Sequence, residues 1–176
     1  MKKIVATILV LAANSAWACP GYLDQTYRQL HSRDSINLCE AYEGQPMLVF
    51  NTASQCGFRG QFGELEELYQ TYRDRGLAVV GFASDDFNQE ADTEKEAADV
   101  CRVNYGVSFT MIAPTPVTGD NANPLFSMIR SQGEGPEWNF YKYVLNPEGE
   151  LTASFPSRVA PSDEELVDAV ESVLKQ

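Results

Sequence analysis

The stretch Asn51-Thr52-Ala53-Ser54-Gln55-Cys56-Gly57-Phe58 constrains this chain most, because it sets one cysteine between the end of an apolar run and the start of a helix. Met47-Leu48-Val49-Phe50 reads as a buried strand. From Gln61 onward Phe62, Leu65, Leu68, Tyr69 and Tyr72 recur at helical spacing, with Glu64, Glu66, Glu67 and Arg73 on the other face. A thiol just ahead of a helix meets unpaired backbone N–H groups and the positive end of the helix dipole. Both favour the thiolate, which is the nucleophilic form. Gly57 permits a tight turn, and polar Asn51, Thr52, Ser54 and Gln55 predict a strand end leaving the core for a cleft. The competing reading is a free cysteine that only fills core volume.

Gly76 is placed to end that helix, and Leu77-Ala78-Val79-Val80-Gly81-Phe82 reads as a second buried strand, completing a strand-helix-strand unit. Residues 94–105 are predicted helical and carry Cys101, Val107 to Ile112 is a further strand, and a loop through Pro114, Pro116 and Gly119 follows. Asn123-Pro124 starts a short helix running to Ile129. Tyr141 to Leu145 and Leu151 to Phe155 flank the turn Asn146-Pro147-Glu148-Gly149 and read as a hairpin. Ser162 is expected to cap a last helix, with Glu165 reaching back, and Leu166, Val170, Val173 and Leu174 give that helix one apolar face. This alternation predicts a three-layer α/β domain. Residues 19–176 suffice for one such domain and no second.

Residues 1–18 read as a secretory signal peptide: Lys2 and Lys3 precede the apolar run Ile4 to Ala13, and Ala16-Trp17-Ala18 supplies small residues for cleavage. The run is about half the ~20 apolar residues that a spanning helix needs. Export, to the periplasm, is therefore expected, with Cys19 first in the mature chain. A lipid anchor at Cys19 fits less well, since Ala16 stands where a branched aliphatic residue is the norm. The formal charge of −12 becomes more negative by two when Lys2 and Lys3 leave, which argues against nucleic acid and anionic membranes as partners. Four cysteines in an exported chain allow three complete pairings. Cys19 and Cys39 flank a predicted hairpin, in which Tyr27-Arg28-Gln29-Leu30 and Ile36-Asn37-Leu38 surround Ser32-Arg33-Asp34-Ser35. A bridge between them would staple it, contributing about 3 kcal/mol by loop entropy.

The cysteine segment resembles the active-site signature of the glutathione peroxidase family in its cysteine form. Two further stretches match family signatures in the expected order: Gln89-Glu90, after an apolar strand and Phe87, and Trp138-Asn139-Phe140-Tyr141-Lys142-Tyr143. The similarity runs from about Asp34 to the C-terminus. It implies a thioredoxin-like fold, reduction of hydroperoxides without metal or cofactor, and a catalytic set of Cys56, Gln89, Trp138 and Asn139. Cys101 matches the resolving position of non-selenium members. The tetramer-forming members carry a longer insertion before the tryptophan; here nine residues separate Phe126 from Pro136, so a monomer is expected. Three departures stand out. Arg59-Gly60 replaces the usual threonine and proline, Asp85 and Asp86 bring extra carboxylates beside the Gln89 loop, and one residue is missing before Gln89.

In such a reaction the thiolate attacks one peroxide oxygen and becomes a sulfenic acid, which must be reduced before it oxidises further. Cys101 could close a disulfide with Cys56, reopened by a thioredoxin-like protein; alternatively glutathione attacks the sulfenate directly. Other classes fail on inventory. His31, the one histidine, falls in the predicted hairpin turn, far from the role a Cys-His hydrolase requires. Arg59 breaks any C-x-x-C at Cys56, and one histidine with dispersed cysteines makes a poor zinc site. From a different class, a non-enzymatic thioredoxin-fold relay that passes oxidation to partner thiols stays open; catalytic turnover discriminates it.

Overall fold

The computed structural model describes residues 19–175, so the expected export segment lies outside the described residues. The first strands, β1 (Thr26–Arg28) and β2 (Ser35–Asn37), pair antiparallel as the predicted hairpin, with His31 exposed at its turn. Asn37 then caps helix α1 (Leu38–Tyr42), its side-chain oxygen accepting from the amides of Cys39 and Glu40. Cys19 and Cys39 are joined by a disulfide, their Cα atoms 6.0 Å apart. The bridge ties the chain before the hairpin to the helix after it.

The main sheet is built on β3 (Met47–Thr52) and β4 (Ala78–Ala83), parallel neighbours whose side chains are all buried. Burial on both faces explains why these strands read as continuous apolar runs. Strand β5 (Thr110–Ile112) adds parallel to β4, while β6 (Lys142–Leu145) and β7 (Leu151–Phe155) add antiparallel on the other side of β3. The order is β5-β4-β3-β6-β7. Alternation along β3 divides the core between two faces. Leu48 and Phe50 join the cluster formed with helix α2 (Gln61–Tyr72), helix α3 (Glu94–Ala98) and helix α5 (Glu164–Leu174). Met47 and Val49 join helix α4 (Pro124–Ser131), the hairpin and α1. This is the expected three-layer, thioredoxin-like architecture.

Helix α2 buries Phe62, Leu65, Leu68 and Tyr72, each contributing roughly 1.5–3 kcal/mol for a fully buried large apolar side chain. A turn of 3₁₀ helix, Arg73–Arg75, follows, and Gly76 closes it at φ +97°. Asn123 caps α4 by accepting from the Phe126 amide. Several local expectations differ from the structure. The last helix starts after Asp163 and has no capping box: the Ser162 hydroxyl donates instead to Glu64 on α2 at 2.6 Å, a tertiary bond replacing a local one. Strand β5 begins only at Thr110, although Val107 and Phe109 are buried. The segment predicted as one helix, 94–105, is α-helical to Ala98 and π-helical over Asp99–Asn104.

Candidate functional site

The site lies where β3 ends. Cys56 is a free thiol with no exposed surface, packed in the same core cluster as Phe50, Phe62 and Phe140. The expected open cleft is not what surrounds it. Asn51, Thr52 and Ser54 are buried, and of the four polar residues ahead of the cysteine only Gln55 is exposed. The Asn51 and Ser54 side chains are spent on internal hydrogen bonds. Between Ala53 and Gln61 the chain runs through successive turns: the Cys56 amide donates to the Ala53 carbonyl at 3.2 Å, and the Arg59 amide to the Cys56 carbonyl at 3.1 Å. Gly57 makes its turn without a positive φ, and a Cβ there would meet nothing within 4 Å, so glycine is not sterically required.

Backbone and carboxamide bonds gather the other motif residues at this strand end. The Gln55 amide donates to the Gln89 carbonyl at 2.9 Å, and the Asn139 carboxamide donates to Gln89 Oε1 at 3.3 Å. The Trp138 indole leans on Phe87, ring centres 5.4 Å apart, and is two-fifths exposed. The Cys56 sulfur makes no hydrogen bond to any of the three. Asn139 is fully buried and its Oδ1 is without a partner, as is the Thr52 hydroxyl. Unsatisfied buried polar atoms are rare, and functional sites are one place they occur.

Asn51 holds the tryptophan segment in place. Its carboxamide donates to the Trp138 carbonyl at 3.0 Å and accepts from the Tyr141 amide at 3.1 Å, while its own carbonyl accepts from the Phe140 amide at 2.7 Å. Between these anchors Phe140 is forced to φ +64°, a region disfavoured for a residue with a bulky side chain. The kink seats the Phe140 ring on Phe50, centroids 6.1 Å apart. The strand predicted from Tyr141 accordingly starts at Lys142. In the sequence Asn51 reads only as a polar strand end, and its spacing from Trp138 carries no local signal.

The extra carboxylates sit on exposed residues and also organise the Gln89 loop. Asp86 accepts from the Val117 and Thr118 amides, both at 2.7 Å, and from the Thr118 hydroxyl at 3.0 Å. Asp85 accepts from the Glu90 amide at 3.0 Å. Glu90 in turn accepts from the Ser54 amide at 3.1 Å, the Ser54 hydroxyl and the Ala91 amide at 2.9 Å. The loop is thus fastened to the residue two before Cys56. Asn88, at φ +54°, provides the turn that brings Gln89 back.

Cys101, in the π-helical segment, is likewise free and buried. Burial pushes its thiol up to about 11, so at neutral pH it is protonated in the folded state. No bond joins it to Cys56.

A family model described as glutathione peroxidase matches residues 23–130, which includes Cys56, Gln89 and Cys101 and ends before Trp138. A glutathione peroxidase of Lactococcus lactis is 37% identical over 76% of this chain and 87% of its own length. The glutathione peroxidase-like peroxiredoxin gpx1 of Schizosaccharomyces pombe is 41% identical over 75% and 86%. Among solved structures, the apo form of Trgpx superposes with a TM-score of 0.68 at 26% identity, covering 88% of this chain and 96% of that one. MTB dsbF gives 0.63 at 16% identity, covering 89% and 99%, a likeness of fold alone. With a family match over most of the chain, relatives above one-third identity and the three motif segments meeting at one strand end, the chain belongs to the glutathione peroxidase family.

Proposed function

We propose that this protein is a thiol peroxidase in which Cys56 reduces hydrogen peroxide and organic hydroperoxides. The observation that carries the reading is the convergence of Gln89 and Asn139 on the loop that holds Cys56, through the Gln55–Gln89 backbone bond and the Asn139–Gln89 carboxamide bond. In the first step the Cys56 thiolate attacks the terminal peroxide oxygen. The O–O bond breaks, the departing alkoxide or hydroxide takes a proton, and sulfur is left as sulfenic acid with an alcohol or water released. Carboxamide N–H groups of Gln89 and Asn139 and the Trp138 indole N–H are the donors suited to the sulfur anion and the departing oxygen. Since Cys56 has no accessible surface, the covering side chains must part to admit peroxide.

In the second step the Cys101 sulfur attacks the Cys56 sulfenate, forming a disulfide and releasing water. A dithiol protein of thioredoxin type then reduces that disulfide by exchange. Cys101 has to leave its buried position for this, and the π-helical turn supports its helix as the element that unwinds, because such turns forgo regular α-helical hydrogen bonding and recur at functional sites. We further read the mature protein as an exported, periplasmic monomer. The Cys19–Cys39 bond supports that reading, since it occupies the sulfur that lipidation would need and is a bond of oxidising compartments. A steady-state peroxidase assay run side by side with glutathione and with a thioredoxin-like protein tests the proposal. Turnover with the dithiol protein that is lost in Cys56→Ser supports it; turnover with neither reductant contradicts it.

A further inference from the structure

Lys142 is a fully buried ammonium group one strand away from the site, with no carboxylate bonded to it. Its Nζ donates to Gln61 Oε1 at 2.7 Å, to the Val159 carbonyl, and to the Ser157 carbonyl at 3.5 Å. All three acceptors are neutral. Gln61 is the first residue of α2, so the cation also faces the positive end of a helix dipole. The charges that favour its protonated form are Glu64 on α2 and Asp163 ahead of α5; burial outweighs them and lowers its pKa from the ordinary 10.5 to about 8. A methionine would fill similar volume without this cost. What only lysine supplies is three diverging N–H donors from a single atom.

Those donors are spent on the loop that touches Asn139. Gln61 Nε2 also donates to the Ser157 carbonyl, at 2.7 Å, so Ser157 is gripped from both Lys142 and α2. The Ser157 hydroxyl then donates to the Asn139 carbonyl at 2.6 Å. Asn139 is therefore fixed from one side by Ser157 and from the other by Asn51, which binds Trp138 before it and Phe140 and Tyr141 after it. The forced φ of Phe140 lies between the two grips.

We propose that Lys142 and Ser157 are positioning residues for peroxide reduction, holding the Asn139 carboxamide at Gln89 and the Cys56 loop through a Lys142–Ser157–Asn139 relay. The proposal rests on the reading of Asn139 as a donor in the reaction. No part of the relay touches sulfur or peroxide. Its effect is confined to the geometry of one donor, and misplacement of a reacting or supporting group by about 1 Å can cost on the order of 100-fold in rate.

The test is a double-mutant cycle on the rate at which peroxide oxidises Cys56, followed in single turnover with purified protein whose melting temperature is recorded. Ser157→Ala should slow oxidation roughly 10-fold, Ser157→Thr, which keeps the hydroxyl, should restore most of it, and reduction of the oxidised protein by a dithiol should be unchanged. In an Asn139→Ala background, Ser157→Ala and Lys142→Met should slow oxidation no further. If Lys142→Met does not fold, the serine arm alone decides. Fully additive losses in the double variant, or a parent rate for Ser157→Ala, would overturn the relay while leaving the site reading intact. A parent rate for Asn139→Ala alone would overturn both.

Discussion

The Asn139 carboxamide donates to the Gln89 carboxamide at 3.3 Å, joining residues 50 apart in sequence at the end of one strand. The bond makes the two side chains a unit, so each orients the other's remaining donors. Replacing Asn139 with Ala, or Trp138 with Phe, should slow Cys56 oxidation by about 10²–10³-fold, the usual effect of removing one donor to developing charge. Trp138→Phe should barely affect stability, since the indole is two-fifths exposed and its packing on Phe87 is retained by a smaller ring. Stopped-flow oxidation rates together with thermal melts check both statements.

Glu90 is expected to matter as much as the glutamine beside it. Glu90→Ala strands the Ser54 amide, from which its carboxylate now accepts, and leaves the Ala91 amide with the Ser54 hydroxyl as its acceptor, at roughly 1 kcal/mol for one lost part-buried partner. It also loosens the Gln89 loop against the Cys56 loop, leaving the Gln55–Gln89 backbone bond and the Ala91–Ser54 bond to hold them together. Oxidation should slow, while Glu90→Gln, which keeps an acceptor oxygen, should retain most of the rate. Equal losses in the two variants would show that charge, not attachment, is what Glu90 provides.

The elements that the sequence made legible are those whose signal is local. Apolar runs gave β3 and β4, helical spacing gave α2, and turn residues gave the β6–β7 hairpin. The candidate site residues are legible as motifs matched to a family, but their support is not. Asn51, Ser157 and Lys142 act across 15 to 90 residues of chain, and nothing in their neighbourhoods announces it. Asp86 reads as surface charge in sequence and is exposed, but nothing local announces that its carboxylate also accepts from two amides and a hydroxyl. The Ser162 cap failed for a related reason: a tertiary acceptor, Glu64, won the hydroxyl. The cleft expected at Cys56 rests on polar residues of which Asn51 and Ser54 are satisfied inside the protein.

Lys142 should leave a mark on stability as a function of pH. Its folded value near 8 lies below the ordinary 10.5, so between these limits the unfolded chain binds more protons and stability rises with pH. Integrated over that window the gain is on the order of 3 kcal/mol. Cys101, raised from 9.0 to about 11, acts oppositely, with stability lost as pH rises through that range. The lysine effect is therefore isolated by difference. From pH 8 to 10.5 the parent should gain on Lys142→Met in urea unfolding. A constant gap between the two proteins would contradict the assigned burial of charge.

Reduction of the Cys19–Cys39 bridge should destabilise the fold without stopping the first oxidation, because it ties the hairpin and α1 together away from Cys56. The loop it closes spans a sequence separation of 20, for which about 3 kcal/mol is expected. A Cys19→Ser, Cys39→Ser double variant should thus melt roughly 6–12 °C lower while reacting with peroxide at close to the parent rate. An unchanged melting temperature would remove the bridge from the account of stability.

The most direct test of Cys56 as the residue that takes the peroxide oxygen is peptide mapping by mass spectrometry after one equivalent of hydrogen peroxide is added to protein in which Cys56 and Cys101 start as thiols. The expected result is a new crosslink between Cys56 and Cys101 in the parent, and in Cys101→Ser a sulfenic acid on Cys56 that a 1,3-diketone traps. Recovery of Cys56 as an unmodified thiol in both proteins, with the peroxide unconsumed or its oxygen found elsewhere, would contradict it.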